Sequence, residues 1–307
     1  MDPILVVGSV ALDSVKTPEG EAREALGGSA VYFSLAARLF SPVQMVGVVG
    51  SDFPREHREL LESRGVDLEG LEVVRGKTFR WEGSYAKDFN SAKTLNTYLN
   101  VFETFKPKLN VQQKAAPVVF LANIDPELQF EVLSQMEEPK LVACDTMNYW
   151  ISLKRPALKE LLAKVDVFFV NEEEARKLAK EPNNLRAARK LSEWGPSVVV
   201  IKKGEHGALL YAGGRLYAFP AYPIEDIVDP TGAGDTFAGG FLGYLAGGDL
   251  RDIRRIKRAM LFGSIMASFT VQDFSTRKLE SVALPHAQER YKDFLDLLDV
   301  GESLIAA

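Results

Sequence analysis

The chain has 307 residues, 46% of them hydrophobic and 26% charged, which supplies a sizeable core and excludes a disordered chain. A net charge of −5 argues against a general nucleic-acid or anionic-membrane surface. A single cysteine, Cys144, and three scattered histidines exclude an intrachain disulfide and leave no Cys-based zinc site or HExxH spacing.

Along the chain, short apolar runs alternate with helical patterns. Ile4-Leu5-Val6-Val7 reads as a first strand, Ser29 to Phe40 as a helix, and Val43 to Val49 as a second buried strand. Asp52 is placed to cap a helix that begins near Pro54. Residues 12–26 and 71–102 break the alternation with strand-like pieces and no long helix, and they are expected to form a small β-lid, surface hairpins being the plainer alternative.

Val118-Val119-Phe120-Leu121, Leu141-Val142-Ala143-Cys144, Val167-Phe168-Phe169-Val170 and Val198-Val199-Val200-Ile201 are four more apolar runs. Uninterrupted runs of this kind suit the centre of a parallel sheet covered by helices on both faces. Ligands of such sheets bind beyond the carboxyl ends of the strands, which draws attention to Gly8, Asn123, Asp145, Asn171 and Lys202-Lys203-Gly204. No segment reaches the ~20 apolar residues of a membrane helix, and Met1-Asp2-Pro3-Ile4 does not open a signal peptide. A cytoplasmic protein with neither membrane nor nucleic-acid partners is expected.

The chemistry concentrates in Asp229-Pro230-Thr231-Gly232-Ala233-Gly234-Asp235-Thr236. This string follows an expected strand end at Ile227-Val228 and precedes a Gly-rich helical run, residues 237–245. Glycines at a helix start let backbone N–H groups approach an anion, and the helix dipole adds to the attraction. A carboxylate at the same place, Asp235, is positioned to take the proton of an attacking hydroxyl while the N–H groups stabilise a transferring phosphoryl group. The plainer reading is a glycine turn with an Asp cap. Gly76-Lys77-Thr78 is a decoy, because its spacing and the strand-like residues after it do not fit a phosphate-binding P-loop. No dinucleotide fingerprint follows the first strand.

The string resembles the C-terminal signature of the ribokinase-like (PfkB) carbohydrate and nucleoside kinase family. Other residues agree with the family in order, from Ile4 to about Leu297. The resemblance implies an α/β fold: a single ribokinase-like three-layer α-β-α sandwich, with a mostly parallel central sheet and a small β-sheet lid. It implies Asp235 as catalytic base and the N–H groups of Gly232, Ala233 and Gly234 as anion hole. Asp13 and the diglycine Gly27-Gly28 would bind substrate. Asn171 and Glu174, an Asn-x-x-Glu element, would support the phosphates and, indirectly through Glu174, Mg²⁺. Their other reading is an ordinary capping box. Lys203, Gly204 and Gly207 resemble a glycine turn beside the nucleotide. Asp229 and Thr231 occupy positions that in some members lie near a monovalent cation such as K⁺. The family's asparagine after the diglycine is missing from Ser29 to Phe33, and Ala11 stands where ribokinases proper carry Asn, so ribose itself is disfavoured as substrate.

The implied activity is transfer of the γ-phosphoryl group of ATP, with Mg²⁺, to a hydroxyl of a sugar or nucleoside. The lid aromatics Phe79, Trp81, Tyr85, Phe89, Tyr98 and Phe102 suit a flat base or a sugar ring, or simply pack on the core. Lys77, Arg80 and Lys87 leave a sugar phosphate open as a third substrate class. A non-catalytic nucleotide or metabolite sensor on the same fold is also open. An exposed lid edge would allow a homodimer.

Overall fold

The computed structural model describes residues 2–87, 89 and 92–299. Residues 1 and 300–307 lie outside the described residues, as do Asp88, Asn90 and Ser91 of the second expected lid segment. In chain order the strands are β1 (Ile4–Val7), β2 (Ala11–Thr17), β3 (Gly20–Gly27), β4 (Val43–Gly50), β5 (Val66–Val74), β6 (Phe79–Tyr85) and β7 (Ala92–Tyr98). They continue as β8 (Val118–Leu121), β9 (Leu141–Cys144), β10 (Val167–Asn171), β11 (Val198–Lys202), β12 (Ala208–Ala212) and β13 (Arg215–Phe219).

Nine of these strands form one sheet in the order β13-β12-β11-β10-β9-β8-β1-β4-β5. It is parallel from β11 through β5, and β12 and β13 join antiparallel at the far edge. The apolar runs are central strands because both of their faces are covered. Leu141, Ala143, Val167, Phe169, Val198 and Val200 pack towards the helices Ser29–Ala37, Ala233–Leu245 and Ile253–Thr270. The residues between them, Val142, Cys144, Phe168, Val170, Val199 and Ile201, pack towards the helices Arg155–Leu162, Glu172–Ala179 and Asn184–Ser192. The period of two therefore assigns the apolar residues of these three strands alternately to one helical layer or the other.

The second sheet is small, in the order β3-β2-β6-β7, with β2 and β6 parallel and the other pairs antiparallel. It forms the lid. The first expected lid segment falls within β2 and β3. The second is corrected at its start: residues 71–74 belong to β5, at the edge of the large sheet, and the lid strands are β6 and β7. All of β7 is exposed.

Asp52 does not cap a helix. The helix Arg55–Ser63 starts after Pro54 without a side-chain cap. Asp52 instead accepts from Thr78 N and Oγ1 at 2.7 and 2.8 Å and pairs with Arg80 at 2.8 Å, tying the end of β4 to the start of β6. Arg80 also bonds Glu24 of β3 at 2.7 Å. Its charge is thus paired on both sides, with Glu24 in the lid and with Asp52 at the edge of the large sheet. Ile227 and Val228 are likewise not a strand; this stretch is an irregular segment held by Val228 N and Asp229 N to the carbonyl of Val271.

Candidate active site

The helix Ala233–Leu245 starts at Gly232, whose φ of 75° is left-handed and therefore suited to glycine. A Cβ there would also run into the ring of Tyr32. The Ala233 N–H donates to the carbonyl of Pro230 at 3.1 Å, which withdraws it from the expected anion hole. Among the described residues, the N–H groups of Gly232, Gly234 and Asp235 have no protein partner at this helix start. They are the donors left for an anion. Asp235 follows in the first turn. Burial raises its carboxyl to about 7, the charge of Asp145 adds to the rise, and Lys202 opposes it.

Lys202 is the lysine that faces the anion loop; its neighbour Lys203 opens the turn that runs to Gly207. As the last residue of β11, Lys202 shares the face of Val198 and Val200, which is the face covered by the helix that carries Asp235. Its Nζ lies 2.5 Å from Asp145 Oδ2, with the two side chains 16% and 4% exposed. A Cβ on Gly234 would stand 3.0 Å from the same Nζ, which places the ammonium against the anion loop. Burial works against the lysine's charge, yet Asp145 and Asp235 hold its pKa above the ordinary lysine value. Asp145 follows Leu141 and Ala143, and Asn171 follows Val167 and Phe169, on that same face. Residue parity along expected strands was the signal that singles out Asp145 and Lys202.

Asn171 and Glu174 make the reciprocal capping box, Glu174 N donating to Asn171 Oδ1 at 2.8 Å and Asn171 N to Glu174 Oε2 at 2.9 Å. Glu174 nevertheless faces the site. Burial raises its carboxyl to about 7, Asp145 raises it further, and the Asn171 N–H and Lys202 lower it. The turn at Lys203 to Gly207 closes through Lys203 N to Gly207 O and Gly207 N to Gly204 O, at the carboxyl end of β11. No cluster of three or more His, Cys, Asp or Glu side chains among the described residues is arranged to cage a metal. The oxygens Thr146 Oγ1 and Asn148 Oδ1 are buried without partners just beyond Asp145.

On the opposite side, Asp13 of β2 is buried against the diglycine. A Cβ on Gly27 would collide with its carboxylate, and Gly28 adopts a φ of 99° with no room for a side chain beside Ser9. Burial raises Asp13 to about 7; the Gly28 N–H lowers it, while Asp229 and Asp235 raise it. Ser9 and Ser29 exchange backbone-to-hydroxyl bonds at 3.2 and 3.0 Å, pinning the end of β1 to the start of the helix that carries Tyr32.

Asp229 is fully buried and works inside the protein. Its oxygens accept from Thr231 N at 2.9 Å and from Ser275 N at 3.0 Å. Thr231 Oγ1 donates to Tyr85 Oη of the lid at 3.2 Å. The other lid aromatics divide. Phe79 stacks on Phe102 with centroids 5.3 Å apart, Trp81 Nε1 donates to Thr94 Oγ1 at 3.2 Å, and Tyr98 is exposed.

Residues 1–282 match the family described as pfkB family carbohydrate kinase. A cytidine kinase of Thermococcus kodakarensis is 33% identical over 262 residues, covering 82% of this chain and 92% of that protein. The nucleoside kinase of Burkholderia thailandensis in complex with inosine has a TM-score of 0.78 at 18% identity, covering 94% of this chain and 97% of its own. The aminoimidazole riboside kinase of Salmonella enterica, complexed with aminoimidazole riboside and an ATP analogue, has a TM-score of 0.74 at 21% identity, covering 94% of this chain and 100% of its own. At those identities the two structures bear on the fold.

Proposed function

Since this chain belongs to the pfkB family of carbohydrate kinases, whose members phosphorylate sugars or nucleosides with ATP, we propose that its acceptor is a nucleoside and that Asp235 is its catalytic base. The observation that carries the base assignment is the convergence at one helix start. A carboxyl raised to about 7, unpartnered N–H groups and a lysine ammonium meet there within the span of Gly232 to Asp235. The acceptor class is supported by the identity to a cytidine kinase. The pairing of Arg80 with both Glu24 and Asp52 argues against its use on a sugar phosphate.

In this reading Asp13 accepts from a hydroxyl of the sugar and holds the acceptor over the anion loop. Asp235 removes the proton of the attacking hydroxyl. The oxygen so freed forms a bond to the γ-phosphorus as the bond to the β–γ bridging oxygen breaks, and ADP leaves with that electron pair. The N–H groups of Gly232, Gly234 and Asp235, with Lys202, stabilise the charge on the transferring group. Mg²⁺, carried by the nucleotide and held through water by Glu174 and Asp145, would neutralise phosphate charge. The Lys203–Gly207 turn borders the nucleotide. Asp229 and Thr231 act as struts that join the anion loop to Ser275 and to the lid, and the reading asks no monovalent cation of them. The bond from Thr231 to Tyr85 couples the lid to the loop, so closing the lid over substrate excludes water from the reacting phosphate.

The test is ADP release with Mg-ATP across nucleosides, free sugars and sugar phosphates, with Asp235→Asn alongside. Turnover with nucleosides, cut by a factor on the order of 10²–10⁴ in the variant, is expected. Near-normal turnover of Asp235→Asn would remove the base assignment, and turnover confined to free sugars would remove the acceptor class.

A further inference from the structure

Tyr32 is 1% exposed, and its Oη is a buried polar atom without a hydrogen-bond partner among the described residues. That is uncommon, because a buried hydroxyl left unpaired costs on the order of 1–3 kcal/mol. The ring lies against Gly232, the first residue of the anion loop. The hydroxyl is within electrostatic reach of Asp13, Asp229, Asp235 and Tyr85. Tyr85 enters from the lid, and its Oη accepts from Thr231. Among the described residues its own proton has no acceptor. Two phenol protons therefore remain undonated beside the carboxylates assigned to the acceptor side.

The chemistry of this pocket limits what fits. Ionised carboxylates only accept, and the two phenols have protons to give. A substrate hydroxyl satisfies both kinds of group at once, donating to Asp13 and accepting from a tyrosine. Neighbouring ring hydroxyls, as on a ribofuranose, do so twice. We propose that Tyr32, with Tyr85 of the lid, donates to the non-reacting hydroxyls of the nucleoside's ribose and so selects ribonucleosides over deoxyribonucleosides. This rests on the nucleoside reading above and names the residues that discriminate within it. Tyr32 is preset by its packing against Gly232, whereas Tyr85 completes the pair only when the lid lies on the loop.

The experiment is calorimetric binding of cytidine, 2′-deoxycytidine and 3′-deoxycytidine to the wild-type chain, Tyr32→Phe and Tyr85→Phe. Turnover is not needed for it. The wild type is expected to bind cytidine more tightly than at least one deoxy analogue. Tyr32→Phe should lose about 3- to 10-fold for cytidine, the worth of one hydrogen bond, while binding that analogue as the wild type does. Because Phe keeps the ring and removes only an unpaired oxygen, the melting temperature should hold or rise. Equal binding of all three ligands by the wild type overturns the proposal. So does an equal loss for all three in Tyr32→Phe, or a fall in melting temperature that would mark Oη as a structural partner. If the wild type binds no nucleoside yet releases ADP with a free sugar, the acceptor reading falls first and this inference with it. That result is distinct from one in which only the tyrosine variants fail.

Discussion

The two sides of the cleft are built on different principles. On the side proposed for the phosphates, Asp145, Lys202 and Asn171 sit at strand ends of the large sheet, Glu174 lies in the first turn of the helix after Asn171, and the four already satisfy one another in pairs. On the acceptor side, Asp13 is cradled by a diglycine while the tyrosine protons are left over, and half of the groups come from a thin four-stranded lid. A side that meets the same triphosphate in every cycle gains from charges fixed in advance, since a preorganised field costs no rearrangement at the moment of reaction. A side that must tell one sugar from another gains from groups that stay unsatisfied until the right oxygen arrives, because the wrong ligand leaves them so.

The sharpest break in the comparison is Asp235→Asn, with the loss of turnover given above. Next is Lys202→Met, expected to lower kcat by about 10²–10³, as loss of one donor to a developing charge does. It also strands Asp145 without its partner, at a cost of about 3 kcal/mol by denaturant unfolding. Adding Asp145→Asn should restore most of the stability and little of the rate. Recovery of both would make the pair structural and erase the contrast between the two sides.

The pH dependence sharpens the comparison, because the raised carboxyls lie on both sides. Asp13 and Asp235 are each raised to about 7, and in the proposed mechanism each acts in its ionised form. The acid limb of kcat/KM should therefore fall below about pH 7, steeper than one proton, where an ordinary carboxylate would hold it to about pH 4. Stability runs the other way. A folded pKa of about 7 against an ordinary 3.8 means that the folded chain binds the proton more tightly. The stabilisation is complete below pH 3.8 and is lost as pH rises through 7. Asp235→Asn should accordingly lose less in melting temperature than the wild type between pH 5 and 8. The smallest expected effect is on the joint between lid and sheet. Thr78→Val removes a bond to Asp52 and leaves Gly50 N–H unpaired, at about 1–3 kcal/mol. It should raise KM for the acceptor more than it lowers kcat, and an equal fall in kcat would place Thr78 in the phosphate side's machinery.

Much of this molecule was legible from local residue order. The four-residue apolar runs became central strands because an uninterrupted apolar run needs cover on both faces. Gly232 and Asp235 were readable because a left-handed glycine and the first turn behind it specify their own geometry within four residues. The capping box of Asn171 and Glu174 was equally local. Boundaries that depend on a distant neighbour were not: residues 71–74 belong to β5 because β4 pairs with them, and Asp52 abandons its helix for Thr78 and Arg80. Ala233 left the expected anion hole for a local reason, whereas the lysine that faces the loop, Lys202, was set by the sheet. A carbonyl three residues back takes one N–H, and the sheet face decides which of two adjacent lysines points at Asp235.

What the sequence determined by itself was the inventory: the strands, the glycine turn at the helix start, the diglycine and the carboxylate proposed as base. Only the tertiary structure decided which of those groups share a field. Asp145 meets Lys202 across 57 residues, and Thr231 meets Tyr85 across 146. Hydrogen-bond capacity and backbone freedom are properties of a residue and its near neighbours. Burial, charge pairing and the orphaning of a hydroxyl such as that of Tyr32 arise only when distant segments close on one another.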